Sequence, residues 1–102
     1  MHAVLITFTT AATDAALAGP FARFAELLRD VPGFGSKVWL RDGDMRGGFY
    51  LFADEAAARA YVDGPVVAAV RANPVFADVH VCTFDVDTDL SARTGVRAHA
   101  PV

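Results

Sequence analysis

Three side chains within predicted strands of this sequence could carry out acid–base chemistry. His80 lies among apolar residues, and an imidazole in that setting could accept a proton near neutral pH. Tyr50 could donate a hydrogen bond, because a buried phenol normally requires a polar partner. Lys37, the single lysine of the chain, could do the same if its strand directs the amine into a cleft. Structural alternatives exist, since a half-buried histidine can bond to a neighbour and a strand lysine usually extends to solvent.

Aromatic side chains accompany these candidates and could bind a small apolar ligand. The predicted walls of such a pocket are Trp39, Phe8, Phe52 and Phe84. Core packing explains aromatic residues in strands equally well, so the pattern leaves both interpretations open. Gly47 and Gly48 could let a ligand approach the backbone, but the preferred interpretation is a β-bulge.

Familiar catalytic and metal-binding patterns are absent from the sequence. It contains no glycine-rich phosphate loop, nucleophile elbow or HExxH motif. His2, His80 and His99 are far apart and lack the spacing of metal ligands, so we expect no metal site. Cys82 is the only cysteine, which excludes an internal disulfide and is typical of a reducing cytoplasm. We expect the small side chain of Cys82 to be buried.

Length and charge limit the possible functions further. A chain of 102 residues has room for one domain, which we place at residues 1–90 with a tail at 91–102. The net charge of −3 and the dispersed arginines argue against nucleic-acid binding, which requires clustered basic residues. No apolar run reaches the ~20 residues that cross a bilayer. The first residues lack the features of a secretory signal peptide, so we expect a cytoplasmic protein with no membrane partner.

Hydrophobic patterning and turn residues predict the element order βαββαβ. The first helix is predicted to begin at Pro20, because proline is favoured at the first helical position, and to end before Pro32. Asp54 is predicted to cap the first of two short helices that follow the third strand. Strands are predicted at 2–9, 36–41, 47–53 and within 75–86, the short helices at 55–62 and 66–72, and irregular structure at 87–102. The fold class is therefore α+β, a ferredoxin-like protomer with an antiparallel sheet.

The predicted strands are apolar on both faces. In the last strand, Val79 and Val81 alternate with His80, Cys82 and Phe84. An antiparallel sheet with one face in water should instead alternate apolar and polar residues, and the helices can cover only one face. A second copy packed face to face would cover the other, so the pattern predicts a homodimer through the sheet faces.

Several of these segments, in order and at similar spacing, resemble the YdhR-type monooxygenase family, a branch of the dimeric α+β-barrel superfamily. The similarity covers most of the chain, from the first strand to about Ser91. It is carried by VPGF at 31–34, KVW at 37–39, GGFYLFADE at 47–55, AY at 60–61, FDV at 84–86 and LS at 90–91.

The resemblance implies a homodimer of ferredoxin-like protomers, each with a pocket between its sheet and its helices. It also implies a cofactor-independent monooxygenase-like enzyme that acts on a small phenolic, quinol or polyketide-like substrate. Such a substrate would lose a proton, and its anion would react with O₂ without metal or flavin. His80 would be the base, with Tyr50 and Lys37 as donors. Two alternatives use the same pocket: a non-catalytic dimeric module that binds a small hydrophobic ligand, and a cyclase or isomerase.

Overall fold

One antiparallel sheet with helices packed on it forms the fold, and the computed structural model describes residues 1–97 of the chain. The strands are β1 (His2–Thr9), β2 (Phe34–Asp42), β3 (Met45–Phe52) and β4 (Ala77–Asp85), in the spatial order β2-β3-β1-β4. The helices are α1 (Asp14–Leu28), α2 (Glu55–Val62), α3 (Pro65–Ala72) and α4 (Thr88–Arg93). The predicted ferredoxin-like α+β class is confirmed. His99 lies outside the described residues.

The pairing register determines which side chains share a face of the sheet. Val4 of β1 is opposite Tyr50 of β3, and the next residue, Leu5, is opposite Phe49. Because side chains alternate along a strand, Val4 and Tyr50 project to one face and Leu5 and Phe49 to the other. We call these the inner and the outer sheet face.

The hydrophobic core lies between the inner sheet face and helices α1 to α3. Its most buried large side chains are Val4, Phe52 and Leu28, which are 0%, 1% and 1% exposed. Ala58 of α2 and Val67 of α3 belong to the same cluster. Burying an aliphatic or aromatic side chain of this size contributes roughly 1.5–3 kcal/mol, so this contact surface holds the helices on the sheet.

Two neighbouring leucines of α1 provide a test of this core. Leu28 is buried, whereas Leu27 is 51% exposed. We expect Leu28→Ala to lower the free energy of unfolding by about 2–5 kcal/mol, because it removes buried methyl groups and leaves a cavity. Leu27→Ala should change it by less than about 1 kcal/mol. Urea unfolding of both variants measures the difference, and equal losses would contradict the placement of α1.

Helix α1 begins earlier than Pro20, where the sequence predicts its start. Thr13 is the N-cap, and its Oγ1 accepts a hydrogen bond from the Ala16 N–H at 3.1 Å. Asp14 in the first turn pairs with Arg46 of β3, whose guanidinium lowers the pKa of that carboxyl. Pro20 therefore lies inside the helix. It removes one backbone hydrogen bond there, and the cap and the ion pair favour the longer helix despite that loss.

The predicted bulge at Gly47 and Gly48 is wrong. Both residues continue the regular register of β3 with β1 and β2, and the irregularities of the sheet lie between Thr7 and Thr9 and between Phe34 and Ser36. A Cβ atom on Gly47 would lie 2.1 Å from the carbonyl oxygen of Ile6. Glycine at this position therefore permits the close approach of two strands.

The segment after β4 is also more regular than expected. Residues 88–93 form the short helix α4 instead of irregular structure. Asp87 caps it, because its Oδ1 accepts a hydrogen bond from the Leu90 N–H at 3.0 Å. A helix of one and a half turns has too few apolar positions for its period to be recognised in the sequence, although its acidic N-cap was visible.

The outer sheet face is apolar and largely open in the single chain. It includes Ala3, Leu5, Val38, Leu40, Phe49, Leu51, His80, Cys82 and Phe84, together with the polar residues Thr7 and Ser36. Val38 is 57% and Phe84 50% exposed. Cys82 is exposed as well, contrary to the expectation that it is buried. The homodimer that would cover this face stays a prediction. Within residues 1–97, no helix is both long and apolar enough to cross a bilayer.

Candidate active site

A cavity of about 230 Å³ lies between the inner sheet face and the helices. The sheet contributes Ile6, Phe8, Trp39 and Tyr50 to its lining, and α1 contributes Phe21 and Phe24. Trp39 is 40% exposed, so the cavity opens to solvent beside it. An apolar protein cavity of about 150 Å³ is large enough for benzene, so this one has room for a ligand of one or two rings.

Half of the residues that line the cavity are aromatic, and several of their rings contact one another. The ring centroids of Phe21 and Trp39 are 5.3 Å apart, and those of Phe24 and Trp39 are 6.1 Å apart with perpendicular planes. On the opposite side, the centroids of Phe8 and Phe76 are 4.7 Å apart. Aromatic walls of this kind favour a flat aromatic ligand, because they offer ring faces and edges for stacking.

Lys37 introduces a single amine into this apolar cavity. Its Nζ lies 3.5 Å from the ring centroid of Trp39 and 4.7 Å from those of Phe24 and Tyr50. Among the residues that the structure describes, no carboxylate forms an ion pair with this amine and no acceptor forms a hydrogen bond with it. Burial without a counter-ion lowers the pKa of Lys37 to about 7, while the three ring faces attract the charged form. The amine can therefore accept and release a proton near neutral pH.

Gly48 makes room for the lysine side chain. It is on the inner sheet face next to Lys37, and a Cβ atom there would lie 2.3 Å from Lys37 Cε and 3.0 Å from Tyr50 Cε1. The aliphatic part of Lys37 therefore crosses the sheet above a residue that has no side chain. This contact determines where the amine enters the cavity.

We expect Gly48→Ala to displace Lys37 and, because the added methyl group also lies 3.0 Å from the buried ring of Tyr50, to shift that ring slightly. The added methyl group meets the mobile end of the lysine, which can move toward solvent and regain hydration. The pKa of Lys37 should then rise from about 7 toward the ~10.4 of a hydrated lysine. Titration by NMR of the ¹⁵N-labelled amine measures it. Gly19→Ala on α1, whose added Cβ would make only an ordinary contact at 3.6 Å, is the matched control. An unchanged lysine pKa in Gly48→Ala would contradict this role.

Two tyrosines complete the polar part of the cavity. Tyr50 of β3 and Tyr61 of α2 are 3% and 5% exposed, and their ring centroids are 5.3 Å apart. Burial raises the pKa of both phenols, and the neighbouring Tyr61 raises that of Tyr50 further. Both hydroxyl groups therefore stay protonated at neutral pH and can act as hydrogen-bond donors to a bound ligand.

The structure brings together four of the seven site residues predicted from the sequence: Lys37, Tyr50, Trp39 and Phe8. Phe52 lies in the core beside them and stacks on Tyr50 at 6.2 Å between centroids, without lining the cavity. Sequence reasoning did not include Tyr61, Phe21, Phe24, Asn73 and Phe76, which also line it. The helical spacing of Phe21 and Phe24 was the signal that could have assigned them to this face.

His80 and Phe84 lie on the outer sheet face, away from the cavity. In β4, Val79 and Val81 pack against the core, so the alternate residues project outward. His80 is opposite Thr7 of β1 and is exposed, and Phe84 is 50% exposed. The expectation that His80 lies with Tyr50 and Lys37 is therefore corrected. His80 does not reach this cavity and cannot act as a base there.

Metal ligands are not grouped in the described part of the chain. Between residues 1 and 97, no three His, Cys, Asp or Glu side chains are close enough together to hold a metal ion. The polar side chains that line the cavity are the amine of Lys37, the phenols of Tyr50 and Tyr61 and the amide of Asn73.

Solved structures with this fold include proteins described as an oxygenase and as a haem degrader. A variant of SnoaB, described as a cofactor-independent oxygenase from Streptomyces nogalater, is 22% identical with a TM-score of 0.64, covering 84% of this chain and 92% of its own. MhuD, a haem degrader from Mycobacterium tuberculosis, is 29% identical with a TM-score of 0.58, covering 83% and 95%. NE2512, a protein of unknown function from Nitrosomonas europaea, is 24% identical with a TM-score of 0.69, covering 99% and 94%.

Sequence comparison gives a family. A search of curated proteins returned no significant match. The model of the family described as "Putative mono-oxygenase ydhR" matches residues 4–97, which is nearly the whole chain and includes every side chain of the cavity. With this match added to the fold and to the aromatic cavity, the chain belongs to the YdhR monooxygenase family.

Proposed function

We propose that this monooxygenase-like oxidoreductase oxidises a small phenolic or quinol-type aromatic substrate by proton abstraction and reaction of the anion with O₂. The observation that carries the proposal is the amine of Lys37, which lies in an aromatic cavity, has no carboxylate partner among residues 1–97 and has a pKa of about 7. A base with this pKa is suited to work at neutral pH. The fold-level similarity to a cofactor-independent oxygenase supports the same reaction class.

Substrate binding would place an aromatic ring between the walls of the cavity. Trp39 and Phe21 offer one wall, and Phe8 and Phe76 the other. The hydroxyl groups of Tyr50 and Tyr61 would donate hydrogen bonds to the oxygen atoms of the substrate. Such positioning matters, because a correctly oriented base and acid contribute a large share of the rate enhancement.

The neutral amine of Lys37 would then remove the acidic proton and become an ammonium group. The anion that forms would be stabilised by this ammonium and by the tyrosine donors, in a cavity where little water weakens the interaction. In a substrate such as an anthrone, the carbanion gives its electron pair to O₂ and a carbon–oxygen bond forms. The peroxide takes the proton back from Lys37, and loss of water breaks the oxygen–oxygen bond. One oxygen atom remains in the product as a carbonyl and the other leaves as water.

The similarity to MhuD, a haem degrader, raises the question of whether this cavity binds haem. The residues that line it do not fit haem. None of the described residues that line it is a histidine, cysteine or methionine, the side chains that commonly ligate haem iron. Tyrosine can also serve as a ligand, but burial keeps Tyr50 and Tyr61 protonated here. We therefore derive no step that uses haem.

A homodimer would be the functional unit under this proposal. The outer sheet face presents apolar side chains to solvent, with Val38, Phe49 and Phe84 between 37% and 57% exposed. Exposed apolar patches of this kind mark interaction sites in soluble proteins. Packing of the outer sheet faces of two copies would cover them, because each copy offers the same surface.

Oxygen consumption by metal-stripped protein without added flavin tests the proposed reaction. A panel of hydroquinones, anthrones and flavonols covers the substrate class, and heat-denatured protein is the control for autoxidation. Enzyme-dependent uptake with any of them, with equimolar product, is the expected result. Absence of uptake across the panel, together with thermal stabilisation by the same compounds, would refute the oxygenase and identify a binding module.

A further inference from the structure

The amine of Lys37 has the surroundings of a nucleophile as well as those of a base. It is the only lysine among 102 residues, and it is half-buried against the aromatic cavity walls instead of fully exposed. Within residues 1–97 it has no ion pair with a carboxylate. We propose that Lys37 forms an imine with small aromatic aldehydes that bind in this cavity. This reaction uses the same amine as the proposed oxygenase but not O₂, so either can be right without the other.

Desolvation is what makes this amine reactive. A hydrated lysine is protonated at neutral pH and has no free electron pair, whereas a lysine in an apolar cavity loses its proton readily and attacks carbonyl groups. Burial lowers the pKa of Lys37 to about 7, so about half of the amine would be neutral there. For a lysine with the ordinary pKa of ~10.4, the neutral fraction at the same pH is roughly a thousandfold smaller.

The groups that face Lys37 are aromatic rings, which do not compete with its amine for a carbonyl compound. Trp39, Phe24 and Tyr50 present ring faces to its Nζ at 3.5–4.7 Å. The rings cannot take the proton from the ammonium or react with the carbonyl compound. They can, however, hold the positive charge of a protonated imine through cation–π attraction. The cavity thus stabilises the product of the reaction as well as the neutral amine that begins it.

The covalent step is balanced without a further reactant. The nitrogen electron pair forms a bond to the carbonyl carbon, and the carbonyl oxygen receives the two protons that the amine loses. The carbon–oxygen bond then breaks, water leaves, and a carbon–nitrogen double bond remains. Hydrolysis reverses the step, so the imine can hold a carbonyl ligand temporarily. No electrons are exchanged with an oxidant or reductant.

Aromatic shape would determine which aldehydes react. Phe21 and Phe24 on one side and Phe8 and Phe76 on the other leave room for a flat ring, and the cavity of about 230 Å³ limits its size. A ring bound there brings its carbonyl group toward Lys37. An aliphatic aldehyde of similar reactivity would gain no such stacking.

Reductive trapping of the full chain with benzaldehyde and sodium cyanoborohydride at pH 7 tests the proposal. The substitution Arg29→Lys adds a reference amine at the C-cap of α1, where the arginine side chain is 75% exposed. Peptide mapping by mass spectrometry then compares benzyl transfer to position 37 and to position 29 in one molecule. We expect position 37 to be labelled at least about a hundredfold faster, given the roughly thousandfold difference in neutral amine. In Lys37→Arg, labelling within the cavity should be lost while the protein remains folded by circular dichroism.

A second aldehyde separates recognition from simple reactivity. With propionaldehyde, the ratio of labelling between positions 37 and 29 should fall at least severalfold below the ratio found with benzaldehyde. Equal ratios for the two aldehydes, or labelling of position 37 no faster than position 29, would overturn the proposal. Oxygen uptake by the same preparation is measured separately, so failure of trapping and failure of the oxygenase reaction give different results.

Discussion

Replacing Lys37 by methionine should slow substrate-dependent oxygen uptake by orders of magnitude and make the folded protein more stable. Methionine fills similar space in the cavity but cannot accept a proton. Loss of a positioned general base typically lowers the rate by about 10²–10⁴-fold, and we expect a fall in kcat/KM of that order. In the wild-type protein, kcat/KM should rise with pH and level off above about pH 7, as Lys37 loses its proton. The variant should lack this rise.

The gain in stability follows because the pKa of Lys37 is lowered in the folded protein. Between about pH 7 and the ~10.4 of a hydrated lysine, the unfolded chain binds a proton at position 37 that the folded protein gives up. The free energy of unfolding therefore increases with pH across this window, and at pH 7 and below the folded state bears the full cost of the buried amine. Lys37→Met removes that cost. We expect its free energy of unfolding at pH 7 to exceed that of the wild type by at least about 1 kcal/mol, measured with urea.

Two further substitutions separate loss of the base from loss of structure. Lys37→Arg keeps a positive charge that cannot act as a base at neutral pH, so it should be as inactive as the methionine variant but less stable. His80→Ala should keep wild-type turnover, because His80 lies on the outer sheet face and does not reach the cavity. Turnover within tenfold of wild type in Lys37→Met, or a matching loss in His80→Ala, would remove Lys37 from the role of base.

The sequence was sufficient for the four strands and for helices α1 to α3, because each of these elements has a local signal. Thr9 ends the first strand where the sequence predicts it, and Asp54 caps α2 as expected, with its Oδ1 accepting a hydrogen bond from the Ala57 N–H at 2.8 Å. Pro20 was misleading, because a favourable first-turn residue can be tolerated inside a helix that has a better cap at Thr13. Caps and turns depend on a few neighbouring residues, which a single sequence contains.

The candidate site was harder to predict because both sheet faces are apolar. Alternation places His80 and Val81 on opposite faces, but with apolar residues on each, it does not say which face meets the helices. As an imidazole among apolar residues, His80 fits the sequence pattern of a base whichever face it occupies. The environment that lowers the pKa of Lys37 is formed by residues distant in sequence, Phe24 on α1 and Tyr50 on β3 among them. No local pattern in the strand around Lys37 indicates that environment.

Placing a charge on the outer sheet face should dissociate the proposed homodimer. Val38 is 57% exposed in the single chain and is opposite Phe49 in the sheet. In a face-to-face dimer, Val38→Glu would bury an unpaired carboxylate near its counterpart in the second copy. Because a buried charge without a partner costs several kcal/mol, we expect the dissociation constant to rise by at least ~10³-fold. Leu27→Glu on α1, which alters a leucine of similar exposure on the opposite side of the protein, should leave it unchanged.

Sedimentation equilibrium at micromolar concentration measures this difference directly. Wild type and Leu27→Glu should have the mass of a dimer and Val38→Glu that of a monomer, with all three folded by circular dichroism because both substituted positions are exposed within the protomer. A monomeric wild type would refute the dimer and leave the apolar outer face to another partner. A dimeric Val38→Glu would place the interface elsewhere. Retention of oxygen uptake by the monomeric variant would further show that the cavity, which lies between one sheet and its own helices, needs nothing from the second copy.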